Sequence, residues 1–478
     1  MFWASLRFSL IFGVIPAIHS QEVLESDTIK LMSNKELFTR WRPTTHIIAP
    51  AGWLNWHPNQ ISWGNISWAS DLVTWTDVGG WQDSQALAIG PVIKHPPDDW
   101  NVTSWRDPFF LDWPEMDDIL LYGEPHYYAV FGSRIREFGP RLPFYSTPAS
   151  DLTHWHYLGP LWEPAKGSSL GNAKETGPYG GNFEVASLFS LEDDNGDTHY
   201  YRMMGVQSGN TKTHNRTWSL WNEGNVSRRA DGYVQFWPIA GGAADWGNLY
   251  ALISFDDTKN NRRVAWGWAN DELPVFAQLF VMTTEALENR NRDMEEPGNS
   301  RLIDNGHGSF TAYALGIRPL LDVIVGIREE AVYGKDACGS SHMEVVATFS
   351  NFSGAAGLAV VASPGGEEYT HVYFDPGSSI IVVDRSHSST IDGMLRDVVQ
   401  GHFQPYIFAK SGVEDITMDI FFDGSLLEVF VNDRFALTIR IYPGHKDSTN
   451  FGVYIAEGAS VEVSDVEAWV GLKNVWPE

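Results

Sequence analysis

Apolar and polar residues alternate along much of the chain in short runs, as at 126–131 (HYYAVF), 198–206 (THYYRMMGV), 248–255 (NLYALISF) and 263–268 (RVAWGW). Each run is rich in β-branched or aromatic side chains and is bounded by Gly, Asn or Asp, the pattern of short strands joined by turns. The 3.6-residue rhythm of an amphipathic helix is confined to 282–289 (MTTEALEN) and 319–329 (PLLDVIVGIRE), which are predicted as helices. From about Ser340 the alternation changes rhythm, so a second domain is predicted there, over 340–478, as a β-sandwich. Its clearest element is 425–442 (SLLEVFVNDRFALTIRIY), two alternating strands flanking Asn432-Asp433, the signature of a β-hairpin. The chain is therefore predicted to be all-β, built as a propeller, barrel or sandwich pair rather than as an α/β fold. No period of about 20 to 50 residues repeats along it, so periodicity alone does not choose among these.

Charge narrows the partners. With 33 Lys plus Arg against 60 Asp plus Glu, the net charge of −27 supplies no basic stripe for a phosphate backbone, and nucleic acid is excluded as a partner. Arg7 precedes an apolar stretch at 8–15 and then Pro16, so 1–20 are predicted to be a secretory signal peptide. No later stretch reaches the roughly 18 apolar residues of a membrane helix, and the mature chain is expected to be secreted, without a membrane partner. Sequons at Asn65, Asn101, Asn215, Asn225 and Asn351 fit that route and predict N-glycans. The single cysteine, Cys338, has no partner for an internal disulfide and reads as a buried, unreactive thiol. With 21 tryptophans, most are assigned to the core, where wedges between sheets need filling, and a few to stacking on sugar rings. No His/Asp/Glu cluster has metal-ligand spacing, so neither metal nor cofactor is expected.

Two segments carry candidate chemistry. In 105–109 (WRDPF), Asp107 stands beside the Arg106 guanidinium and is followed by a proline that cannot donate to a strand ladder, which suits a strand end facing a pocket. In 182–185 (NFEV), Glu184 sits between apolar neighbours, the setting of a general acid, although on these residues alone an exposed strand glutamate is the preferred reading.

Taken together, these segments resemble glycoside hydrolase family 32, the β-fructosidases that include invertases, inulinases and sucrose fructosyltransferases. The matching pieces are 46–55 (HIIAPAGWLN), 63–68 (WGNISW), 71–75 (DLVTW), 105–109, 182–185, 244–250 (ADWGNLY), 262–268 (RRVAWGW), 315–319 (LGIRP) and 425–442. The resemblance implies a five-bladed β-propeller over 37–318, its first blades incomplete here, a linker at 319–339 and the sandwich at 340–478. It further implies a retaining two-carboxylate mechanism on sucrose or inulin-type fructans. Glu184 then matches the acid/base, Asp107 the carboxylate that holds the fructosyl hydroxyls and stabilises the transition state, and Arg106 its neighbouring guanidinium. Trp53, Asn55, Asp245 and Trp246 match segments that contribute to the sugar site.

The nucleophile departs from the pattern. In the family, Trp-(Met/Leu)-Asn runs directly into Asp-Pro, whereas here Trp53-Leu54-Asn55 is followed by Trp56-His57-Pro58. One alignment slips by a residue and puts His57 in the place of that Asp. The preferred one deletes the strand and its nucleophile between Asn55 and Trp56, leaving His57 an ordinary rim residue. Abrupt joins also occur after Trp68 and around 88–92, the second losing a pocket element. Without a carboxylate nucleophile no covalent fructosyl intermediate forms, so the alternative to a working glycosidase is a catalytically inactive member that binds sucrose or fructans. A propeller glycosidase for arabinan or xylan is the remote third possibility.

Overall fold

The computed structural model describes residues 40, 41, 43, 65–69, 75–80, 93, 95–98, 100–208, 217–269, 273–288, 298–334 and 339–474. Trp53, Asn55, His57, the 1–20 segment and Cys338 lie outside them. Nearly all the regular structure is β, and among the described residues no helix is long and apolar enough to cross a membrane.

In the first part of the chain, β1 (Asn65–Ala69) and β2 (Trp75–Gly80) form a two-stranded antiparallel sheet. Next come two four-stranded antiparallel sheets in which each strand pairs with the one before it. One runs through β3 (Val102–Asp112), β4 (His126–Ile135), β5 (Gly139–Pro148) and β6 (His156–Trp162). The other runs through β7 (Asn182–Glu192), β8 (Thr198–Gln207), β9 (Thr217–Arg228) and β10 (Val234–Asp245). A larger sheet follows, ordered β11 (Tyr250–Asp257), β12 (Arg262–Ala269), β13 (Leu273–Glu288), β15 (Ser309–Arg318) and β14 (Ser300–Asp304). Short helices α1 (Pro114–Leu120) and α2 (Ala173–Thr176) sit between strands, and α3 (Leu321–Arg328) follows β15. These up-and-down sheets pack face to face as propeller blades do. Aromatic side chains fill the wedges between them: Trp162 of β6 stacks on Phe183 of β7, centroids 5.3 Å apart, and Trp113 meets Tyr200 at 5.7 Å.

The sandwich has two sheets. The first places β16 (Val332–Tyr333) and β28 (Glu462–Val470) beside β17 (His342–Ser350), followed by β24 (Ile416–Asp423), β25 (Leu426–Val431) and β26 (Phe435–Arg440). The second orders β21 (Val399–His402), β20 (Ile380–Asp384), β19 (Thr370–Asp375), β18 (Ala356–Ala362) and β27 (Asn450–Ile455). Between them lies a core that includes Val345, Phe349, Leu358, Phe422 and Val429. Two-residue strands β22 (Ile407–Phe408) and β23 (Gly412–Val413) pair with each other, and β22 also pairs with Leu287 of β13. Trp246 of the propeller side is buried in the sandwich core, while Phe421, Leu426 and Phe430 are buried with propeller residues such as Leu252 and Leu279. Apolar burial is thus continuous across the two parts.

Three local expectations are resolved here. The 425–442 hairpin forms as read, with Asn432 (φ 47°) and Asp433 (φ 55°) both left-handed at its turn. Of the two predicted helices, 319–329 forms α3, but 282–289 does not: Met282–Glu288 continues β13 and pairs with β15 through a bulge at Thr284/Leu287. Its helical spacing is an accident of that bulge, which takes Ala286 to φ 60° and shifts the strand's alternation by one residue. Of the stretch expected as a linker, 319–339, the described part up to 334 includes α3 and, at Val332 and Tyr333, a strand β16 that joins the sandwich by pairing with Val470 and Trp469.

Candidate active site

The inner strands of three successive propeller sheets, β3, β7 and β11, carry the same irregularity. In each, the register against the next strand slips so that two residues oppose one: after Arg106, after Glu184 and after Tyr250. The first residue of each bulge is left-handed, Asp107 at φ 54°, Val185 at 46° and Ala251 at 56°. Arg106, Glu184 and Tyr250 therefore occupy equivalent positions, and the repeat brings them together. Arg106 Nη1 donates to Glu184 Oε1 at 2.6 Å, and the Tyr250 hydroxyl donates to Oε2 at 2.9 Å. Both carboxyl oxygens are held, which fixes the plane of the group.

Two glycines make the approach possible. Gly132 pairs with Arg106, and a Cβ on it would lie 2.7 Å from the Cα of Glu184. Gly205 pairs with Glu184, and a Cβ there would lie 3.1 Å from the Tyr250 ring. Each inner strand thus faces, across a glycine, the functional residue of the next. Asp107 ties the first two strands directly, its Oδ2 accepting the Val185 N–H at 3.2 Å.

The cluster lies at a boundary between solvent and core. The Glu184 side chain is only 9% exposed whereas that of Arg106 is 50% exposed, so the carboxyl group is at the floor and the guanidinium at the rim. Apolar cover comes from Val185, Ile253 and Trp266 with Tyr250 and Trp268 against them. Burial, then the Glu184 charge, push the Tyr250 phenol well above its ordinary range, so it stays a proton-bearing donor. A half-open floor with a buried, doubly held carboxyl and a second carboxylate on the adjacent strand can protonate and deprotonate an oxygen of a neutral substrate.

Of the residues singled out from the sequence, the structure joins Glu184, Asp107 and Arg106, and leaves Asp245 and Trp246 apart from them. Asp245 is fully buried at the end of β10, and its Oδ1 accepts the N–H groups of Gly247 at 2.8 Å and Leu249 at 3.3 Å. Burial pushes its carboxyl up to about 6, against hydrogen bonds from Thr438, Gly247 and Leu249 that pull the other way. Trp246 stacks near-parallel to Phe435 at 6.3 Å, inside the sandwich core. The pair expected at the sugar site thus lies away from the Glu184 cluster, with both side chains buried against β26. Tyr250 was missed, although it ends the quoted 244–250 segment. Its signal would have been the bulge, but the separations of 78 and 66 residues between the three positions follow no fixed period.

Comparison with known proteins adds the lineage. The family model described as the glycosyl hydrolases family 32 N-terminal domain matches residues 77–275, and that described as the family 32 C-terminal domain matches 324–470. The chain belongs to glycoside hydrolase family 32. Among curated family 32 relatives, a β-fructofuranosidase, insoluble isoenzyme 7, of Oryza sativa subsp. indica is 26% identical over 274 residues, 47% of this chain and 44% of that protein. The match thus spans less than half the length of the rice relative. An insoluble β-fructofuranosidase isoenzyme of Arabidopsis thaliana is 22% identical over 572 aligned positions, 95% of this chain and 93% of its own. The fold is that of a fructosyltransferase from A. japonicus (TM-score 0.74, 21% identity, 81% of this chain and 76% of that one). It is equally that of a β-fructofuranosidase from Aspergillus kawachii (TM-score 0.74, 24% identity, 89% and 80%). The propeller-plus-sandwich architecture expected of family 32 is the one found.

Proposed function

We propose that this chain is a glycosidase for β-fructosides, sucrose and inulin-type fructans, in which Glu184 is the acid/base and Asp107 stabilises the oxocarbenium-like transition state. The observation that carries this reading is the meeting of Arg106, Glu184 and Tyr250 with Asp107 on adjacent inner strands. In the retaining route Glu184 would give its proton to the leaving-group oxygen while a carboxylate bonds the anomeric carbon, and would then take a proton from the water or acceptor sugar that displaces that carboxylate. Arg106, at the rim, is placed to bind substrate and to hold the carboxyl plane between the two steps. The retaining route also needs a carboxylate nucleophile, expected after Asn55, where the sequence has Trp56.

That departure favours a second reading, an inactive family member that still binds the sugar. One experiment separates the two: the full chain is incubated with sucrose and with short inulin, fructose release is followed, and the same ligands are titrated calorimetrically. Release of fructose that is abolished in Glu184→Gln supports the glycosidase; binding without release supports the inactive form, and neither sinks both. We further propose secretion with N-glycans on the exposed Asn101 and Asn225. A mass shift on treatment with an N-glycosidase tests this.

A further inference from the structure

The turn that joins β10 to β11 connects the sandwich to Glu184. Asp245 Oδ1 gathers the N–H groups of Gly247 and Leu249, closing residues 246–249 into a tight turn. That turn is hydrogen-bonded to strand β26: Trp246 N–H donates to the Ala436 carbonyl at 2.9 Å and Asn248 N–H to the Thr438 carbonyl at 2.7 Å. The two backbones touch, since a Cβ on Gly247 would lie 1.9 Å from the Thr438 carbonyl oxygen. Trp246 anchors the turn by stacking on Phe435 of the same strand. The next residue along the chain is Tyr250, whose hydroxyl holds Glu184 Oε2 at 2.9 Å. Nothing in this chain of contacts requires Asp245 to meet substrate.

We infer that Asp245 is a positioning residue: by holding the 246–249 turn against β26 it sets the Tyr250 hydroxyl on Glu184, and so makes the sandwich a working part of the acid/base site. The inference rests on the reading of Glu184 as acid/base. A residue that acts in this way lowers kcat and leaves ground-state binding alone, whereas a sugar contact raises KM.

The test uses the full chain labelled with 3-fluorotyrosine, the Tyr250 fluorine resonance being the one lost in Tyr250→Phe. In Asp245→Ala that resonance is expected to move toward the position of solvent-exposed tyrosines. Sucrose turnover is expected to show kcat down about 10- to 100-fold with KM within about twofold. Asp245→Asn, which keeps the accepting oxygen, should recover most of the loss. Adding Asp245→Ala to Tyr250→Phe should cost nothing more, because both break one path. An unmoved Tyr250 resonance in folded Asp245→Ala overturns the inference, as does a rise in KM at unchanged kcat. Should Asp245→Ala not fold, Gly247→Ala pushes the same two backbones apart and Thr438→Val removes the hydroxyl that bonds the Asp245 carboxyl, read out identically. If the wild-type chain turns over no sucrose, the acid/base reading fails as chemistry, and the resonance still decides whether Asp245 positions Tyr250.

Discussion

At the tip of the β25–β26 hairpin and at the inner strands of the propeller the backbone enters the same left-handed region, but with different residues. At the hairpin it falls on Asn432 and Asp433, residue types that tolerate it, and both ends of the Asn432 amide are hydrogen-bonded. Its Oδ1 accepts the Thr417 N–H at 2.7 Å and its Nδ2 donates to the Asp415 carbonyl at 2.8 Å. At the inner strands it falls on Asp107, Val185 and Ala251, and a β-branched valine at φ 46° is strained by its own Cβ. The hairpin turn is made by its sequence; among the inner-strand bulges Asp107 is likewise a tolerant type, whereas those at Val185 and Ala251 are imposed by packing, and together they aim Arg106, Glu184 and Tyr250 at one point. Left-handed residues also sit at bulges in β13 and β18, on Ala286 and Val361, but there the second bulge residue is left-handed rather than the first. The phase of the bulge, more than its presence, distinguishes the site.

The largest test of that contrast is Glu184→Gln. It keeps shape and removes the proposed proton-transfer group, so under the glycosidase reading kcat on sucrose is expected to fall by about 10²- to 10⁴-fold, with the thermal midpoint nearly unmoved, in an assay of fructose release. A stability loss as large as the activity loss would mean that the cluster is merely a structural ion pair.

Next in size is the pH dependence carried by Asp245. Its folded-state carboxyl lies at about 6, above the 3.8 of an unfolded chain, so its neutral form is the one the fold favours. The contribution is fully present below about pH 4 and is lost as pH rises through about 6, a change of about 3 kcal/mol for this fully buried group. Asp245→Asn is expected to flatten that part of the profile, so that the variant gains on wild type between pH 4 and 7 in urea titrations. Parallel profiles would show that the Asp245 carboxyl is ionised at no cost to the fold.

How far these features could be read from the sequence follows from their range. The hairpin was legible because Asn-Asp between alternating strands is a local signal, and α3 because its apolar spacing is uninterrupted. The 282–288 segment was not, because its partner strand β15 begins more than twenty residues later and decides the conformation. Glu184, Asp107 and Arg106 stand in short motifs that say little one by one and are singled out through the ordered set of family 32 matches along the chain. Tyr250 depends on a bulge that exists only once β11 lies beside β7, and Asp245 on a sandwich strand that reaches it from position 438. The Asp-Trp pair at 245–246 is assigned to the sugar site only through its match to a family 32 segment; burial marks it as a domain junction.

Smaller effects sharpen the opening contrast most directly. Asn432→Ala removes both side-chain hydrogen bonds and leaves at φ 47° a residue with no local hydrogen bond to offset the left-handed conformation. It should cost about 2 kcal/mol, read as a lowered urea midpoint. Sucrose turnover per folded molecule should stay within about twofold of wild type. The smallest expected change in stability is that of Ala251→Gly. Glycine relieves the left-handed residue by about 1 kcal/mol, and loses one buried methyl of similar worth, about 0.8 kcal/mol. The urea midpoint should therefore barely move. Yet the same substitution frees the bulge that turns Tyr250 inward, so the Tyr250 fluorine resonance should broaden and kcat fall severalfold. A stability change without an activity change at Ala251 would make the inner-strand bulges ordinary turns like the hairpin. An activity change without a stability change would show that their backbone strain serves the orientation of the site, since the fold itself gains nothing from keeping alanine there.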